Sequence, residues 1–122
     1  SGLLAGGFNK KTKFPENDHR NYNINGDAFD VGDTFSGVKL NTGLNALKEI
    51  NKILPAGFNL TQLALKWILM HDSVTTVIPG AVNHKQVLDN SNVSNLDDIK
   101  ELIPKINSIY NKYIKKDVHH RW

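Results

Sequence analysis

The chain has 122 residues, of which 39% are hydrophobic and 22% charged, and its formal charge is +3. That length fits one domain, no apolar run approaches the ~20 residues of a membrane span, and the N-terminal SGLLAGGFNKK puts its apolar part ahead of its charge, the reverse of a secretory signal. Cysteine is absent, which excludes disulfides and thiolate chemistry and makes a reducing, cytoplasmic setting the default.

Residues 1–7 read as the end of a strand running into a glycine turn, Leu3-Leu4-Ala5-Gly6-Gly7. A strand and a half cannot make a sheet by itself. The chain starts at Ser1 without a methionine, and its first residues read like the middle of something, an expectation of further strands elsewhere. Residues 8–41 are rich in Gly, Asn, Asp and Lys, with Phe14-Pro15, Asn25-Gly26 and Gly32-Asp33 as turn signals. A connection of that length is a functional flap, a partly disordered segment, or both. Phe29, Val31 and Phe35 are the residues by which it would pack.

Leu44, Leu47, Ile50 and Leu54 recur at helical spacing and predict a helix over 42–54, capped by Asn41 or Thr42 and ended by Pro55-Ala56-Gly57. A second helix is predicted over 59–72. Asn59 caps it and Gln62 closes a capping box. Its apolar residues cover two faces, Leu60, Leu63, Ala64, Trp67 and Ile68 on one, Leu65 and Leu69 on the other. Such a helix is buried between two layers, wedged between a sheet and a further helix.

Val74–Ile78 is a β-branched apolar run that predicts a fully buried strand over 74–79, ended by Pro79-Gly80. It is too apolar for a solvent edge, so its neighbours must come from elsewhere. Asn83 then caps a helix over 84–91, and Gln86 completes an Asn-x-x-Gln box. Unpaired N–H groups and the positive end of the dipole make such a helix start suit a phosphate. Asn83 and Gln86 serve equally well as plain caps.

The last helix is predicted over 95–116, with Asp97 and Asp98 in its first turn and a stripe from Ile99 through Leu102, Ile103, Ile106 and Tyr110 to Tyr113. Pro104 should kink it or split it in two. The basic tail from Asp117 lies on the surface unless Trp122 docks. Lysines are scattered, densest at Lys112, Lys115 and Lys116 with Arg121, and read as a solvated surface rather than a nucleic-acid stripe.

The five histidines include no pair at i,i+4, and no Gly-x-Ser-x-Gly, Walker or Gly-x-Gly-x-x-Gly motif occurs. Tyr22, Tyr110 and Tyr113 lack a nearby lysine with an activating role. No metal ligand set and no catalytic residue is assigned.

Several stretches, in order, resemble the C-terminal third of aldo-keto reductases. They are Ser1–Gly7, Phe14-Pro15-Glu16-Asn17-Asp18-His19-Arg20, Thr34-Phe35-Ser36-Gly37-Val38, Gln62–Leu69, and Val77-Ile78-Pro79-Gly80-Ala81 with Gln86 and Asn90. The resemblance implies an α/β fold, the C-terminal portion of a (β/α)8 TIM barrel, with the covered part mostly helical and holding one to two strands. Residues 1–7 would end strand seven, 8–41 would be the long loop over the cofactor, and 74–79 would be strand eight. It also implies an NADP- or NAD-dependent reductase of aldehydes or ketones, active on a small carbonyl substrate. By resemblance, Gly80, Gln86 and Asn90, with Val82, contact the adenosine-phosphate end of the cofactor. Ser1, Gly2 and Leu3 touch the pyrophosphate or its sugars.

Two departures stand out. Many members carry Arg or Lys where this chain has Val82, and that cation grips the cofactor 2′-phosphate; valine does not replace a guanidinium fork. The family's catalytic Asp, Tyr, Lys and His belong to earlier barrel strands, so the chain alone is expected to be inactive. About 200 further residues are implied, since such barrels run to ~250 or more. Homo-oligomer formation by swapping would be one way to satisfy an orphan strand.

The alternative is a non-enzymatic helical module for protein or nucleic acid, with 59–71 and 84–90 taken as a helix-turn-helix. The apolar link between them is far longer than the 3–4-residue turn of that motif. One observation separates the readings. If Val74–Ile78 is coiled into helix, or lies free in water with nothing beside it, the enzyme reading fails as a description of this molecule.

Overall fold

The computed structural model describes residues 2–29 and 37–121. Ser1, Val31, Gly32, Asp33, Thr34, Phe35, Ser36 and Trp122, named above, lie outside the described residues.

The N-terminal segment is a 3-10 turn at Leu3–Ala5, not a strand end. Gly2 and Gly6 flank it with φ of 87° and 78°, left-handed angles that turn the chain back on itself where a strand would continue. Leu3 thereby drops onto the helix α2 (Leu40–Lys52) at Gly43. A Cβ on Gly43 would sit 2.5 Å from Leu3 Cδ2, so the absent side chain is what lets Leu3 lie there. α2 begins two residues earlier than the capping pattern implied. Its N-cap is Lys39, with no side-chain cap, because the helix is set by burial of Leu44, Ala46 and Leu47 rather than by Asn41 or Thr42.

α3 (Leu60–Leu69) starts where its caps place it. The Asn59 Oδ1 accepts from the Gln62 N–H at 2.8 Å and the Gln62 Oε1 accepts from the Asn59 N–H at 2.9 Å. Leu60 joins Leu44 and Leu47 in the core, with Leu3, Phe8, Leu40 and Ile50 packed against it. Leu63 and Leu65 are also buried. Helix α3 is buried on more than one side by helices and turns; among the described residues no sheet flanks it. The indole of Trp67 meets the His71 ring edge-on at 4.6 Å, and its buried Nε1–H has no acceptor among the described residues.

α3 is also fastened to the 3-10 turn Asn92–Asn95, which comes directly after α4 (His84–Ser91). The Lys66 ammonium donates to the Leu96 carbonyl at 2.6 Å and reaches that of Val93 at 3.5 Å. The Val93 carbonyl already accepts from the Leu96 N–H at 3.2 Å, so the closer bond, to the Leu96 carbonyl, is the one by which the cation fastens the end of the turn.

Residues 74–80 have no regular secondary structure, and no strand occurs among the described residues. The buried strand expected over 74–79 is therefore absent from this fold. Ile78 is 95% exposed, and Thr75 and Thr76 are exposed as well. The physical reason is that a strand is stable only against a neighbour, and none of the described residues supplies one. The described residues close no barrel. α3 and α4 are correspondingly joined by the long stretch 70–83, not by the tight turn of a helix-turn-helix.

The C-terminal helix also differs from the expectation of one helix over 95–116. Its regular part starts with a 3-10 turn, Lys100–Leu102, and α5 (Ile103–Ile109), where Pro104 occupies the first turn and needs no N–H partner. Asp98 Oδ1 accepts from the Lys100 N–H at 2.7 Å ahead of it. A π-helical turn, Tyr110–Ile114, leads into α6 (Lys115–Val118), and this stretch packs on α2.

Candidate functional site

The junction from Gly80 to Ser91 holds most of the residues singled out for phosphate binding. Asn83 has extended backbone angles, and its Oδ1 accepts from the Gln86 N–H at 2.9 Å, while its carbonyl accepts from Val87 N–H at 3.3 Å. Only half of the expected capping box forms. Gln86 Oε1 turns instead to the Val82 N–H, at 2.7 Å. Asn90, one turn further on, donates from Nδ2 to the Gly80 carbonyl at 3.4 Å. Gly80, Val82, Gln86 and Asn90 are thus brought together, the turn being tied to one face of α4 by the two amides spaced i,i+4.

The backbone N–H groups of His84 and Lys85 find no acceptor among the described residues. They point off the start of the helix, where its dipole is positive. Lys85 lies beside them but pairs with Asp89 at 2.6 Å on the exposed face. This donor set fits a phosphate or another anionic oxygen cluster. Val82 is 90% exposed and supplies neither charge nor hydrogen bond from its side chain.

Gly2 and Leu3, on the first turn, stand apart. No hydrogen bond joins them to Gly80, Val82, Gln86 or Asn90 among the described residues. Gly2 is held beside Phe8 and Arg20, whose atoms a Cβ there would meet at 3.2 and 3.8 Å.

Two features of the long loop escaped sequence reasoning. Asp18 caps α1 (His19–Tyr22) and grips Arg20, with Nε on Oδ1 at 2.9 Å and the Arg20 N–H on the same oxygen at 2.9 Å. The guanidinium sits over Phe14 at 4.6 Å and Phe8 at 5.4 Å. Hydrogen bonds from the Arg20 side chain, then from its backbone, hold the Asp18 carboxyl well below the usual carboxylate range. Asn23 is fully buried, and its Oδ1 accepts from the N–H groups of Ala28 at 2.9 Å and Phe29 at 3.0 Å. The Asp-x-Arg spacing was visible in the sequence; the bonds from Asn23 to residues five and six positions on had no local signature.

No three His, Asp or Glu side chains gather into a metal-binding group among the described residues. None of their helices is long and apolar enough to cross a membrane.

An apolar run without regular structure, Pro79-Gly80 and a helix start whose His84 and Lys85 N–H groups are unpaired among the described residues make up this junction. Residues 1–111 match the model of the aldo/keto reductase family, and the chain belongs to that family. It is a family of oxidoreductases that generally use nicotinamide cofactors. No curated protein and no solved structure matches the chain.

Proposed function

We propose that this chain is the C-terminal portion of a (β/α)8 reductase of aldehydes or ketones, and that it contributes the adenosine-phosphate end of the site for NADP or NAD. Gly80 and Val82 would form the floor of that site, Gln86 and Asn90 would hold it in shape, and the N–H groups of His84 and Lys85 would meet phosphate oxygens. Gly2 and Leu3, with Ser1, would lie at the pyrophosphate end. When bound, the cofactor supplies the hydride; the residues here bind and orient it. The Asp, Tyr, Lys and His that act on the carbonyl in this family belong to earlier strands, so the chain alone is inactive on this reading.

The observation that carries the proposal is the double fastening of the turn, Gln86 to Val82 at 2.7 Å and Asn90 to Gly80 at 3.4 Å. Ile78 is 95% exposed with no strand beside it among the described residues, while Val74 and Val77 are half-buried. That exposure counts against the reading for residues 1–122 by themselves, and the proposal is for a chain in which further strands lie beside 74–78. The test is fluorescence titration of NADPH and NADH into a chain carrying the whole barrel, and into residues 1–122 alone. Saturable binding to the first and weak binding to the second is expected. Equal binding to both, or none to the first, rejects the assignment.

A further inference from the structure

We infer that Asn25 is a site of spontaneous covalent ageing, at which the side-chain amide is exchanged for an acid and the backbone of the long loop is partly rerouted through the side chain. The inference is independent of the cofactor reading. Asn25 is the one asparagine in the chain followed by glycine. It is exposed, lies in a turn, and its side chain makes no hydrogen bond among the described residues, so the amide is free to swing over the next peptide. Gly26 has no Cβ to obstruct that approach and takes a left-handed φ of 78°.

The chemistry needs only water. The Gly26 backbone nitrogen loses its proton and attacks the Asn25 Cγ, forming a C–N bond. The bond from Cγ to the side-chain nitrogen breaks, and ammonia leaves with the proton. Water then opens the five-membered imide at either carbonyl. One product is ordinary aspartate; the other runs the main chain through Cβ. Either lowers the formal charge by one, from +3 to +2.

The fold puts a brake on this reaction. The Gly26 N–H donates to the Asn23 carbonyl at 3.0 Å, so the nucleophile is released only when the turn opens. Asn23 also ties the far side of the loop through Ala28 and Phe29. Asn23 is thus the latch, and the rate at Asn25 reads how often the latch opens. The rerouted product inserts an extra backbone atom between Asn23 and Ala28, which those bonds do not span without lengthening.

The test is incubation of residues 1–122 at mildly alkaline pH, with peptide mapping and an isoaspartate methyl-transfer assay, beside the same chain in urea. Conversion at Asn25 is expected ahead of every other asparagine, slower in the folded chain than in urea. Asn25→Gln should abolish the product. Asn23→Ala should raise the folded-state rate several-fold toward the urea rate, and aged protein should exchange its Ala28 and Phe29 amides faster than fresh. Circular dichroism of Asn23→Ala checks that the helices persist; if they do not, a comparison of aged with fresh wild type carries the test. The proposal is overturned if another asparagine converts first, or if Asn25 stays intact while its urea control is half converted. A folded rate equal to the urea rate overturns the latch.

Discussion

The Gln86 amide reaches back over its own helix start and accepts a hydrogen bond from the Val82 N–H at 2.7 Å, bypassing the Asn83 N–H that a full capping box would use. Helix α4 therefore holds the turn before it, and Asn90 repeats the device one turn later on Gly80. Both bonds are exposed, so Gln86→Ala and Asn90→Ala should each cost the fold only about 0.5–1 kcal/mol, the freed groups turning to water. In a chain carrying the whole barrel, each should weaken cofactor binding by roughly tenfold, the equivalent of one lost polar contact or its positioning. Fluorescence titration with both nicotinamide cofactors checks this, and unchanged affinities for both variants would reject the site.

Val82 offers the reverse experiment. Its side chain is 90% exposed at the turn, so a larger one meets no steric barrier. Val82→Arg should place a guanidinium where a 2′-phosphate would lie on the proposed reading. A charge-assisted hydrogen bond contributes ~1.5–3 kcal/mol, so the ratio of NADPH to NADH affinity should rise by ten-fold or more. A ratio that does not move would show that the phosphate end of the cofactor lies elsewhere.

How much of this was readable beforehand depended on how far each interaction reaches along the chain. Asn59 with Gln62, and Asn83 with the Gln86 N–H, are three residues apart, and both bonds form. Pro104 was read as a break in a helix begun at 95; it stands in the first turn of a helix that starts later, since proline is tolerated there and Asp98 supplies the turn before it. Asn41 and Thr42 looked like caps, yet α2 starts at Leu40, because the burial of Leu44 and Leu47 sets its frame. Leu3 over Gly43 and Asn23 under Ala28 are contacts between segments that local pattern does not pair. The strand at 74–79 is the extreme case. Its apolar run is plain in the sequence, but no strand among the described residues pairs with it, and Ile78 lies in solvent while Val74 and Val77 are half-buried. Of the expected site, the part on α4 assembles from local sequence. Gly2 and Leu3 share no hydrogen bond with it, and Ser1 lies outside the described residues.

The Asp18 clamp gives a pH prediction with a definite sign. Its folded carboxyl titrates below the ordinary carboxylate range, chiefly because Arg20 donates to it. The stabilising contribution is therefore whole above the unfolded value of about 3.9 and fades as the pH falls through the lower folded value. The Arg20 Nε–H resonance should stay dispersed through mildly acidic pH and collapse only in strong acid. Asp18→Asn should leave that resonance without its titration, and the ordering of the segment around Phe8 and Phe14 should weaken at neutral pH as well. A midpoint at the ordinary carboxylate value would contradict the clamp.

The last prediction separates what this chain buries from what it leaves for other strands. Leu63 is 3% exposed, and Leu63→Ala should destabilise residues 1–122 by ~2–5 kcal/mol through lost contacts and the cavity left behind. Ile78 is 95% exposed, so Ile78→Ser should change the stability of the same chain by no more than about 0.5 kcal/mol. In a chain carrying the neighbouring barrel strands, the order should change for Ile78. There the serine would replace an interior side chain by a smaller polar one, at a cost of ~2–5 kcal/mol, while Leu63→Ala would cost what it did before. Urea denaturation of both variants in both lengths of chain makes the comparison. If Ile78→Ser stays neutral in the longer chain, that side chain is not in the wall of a barrel. If it already destabilises residues 1–122, the run 74–78 has a partner within them and needs none from outside.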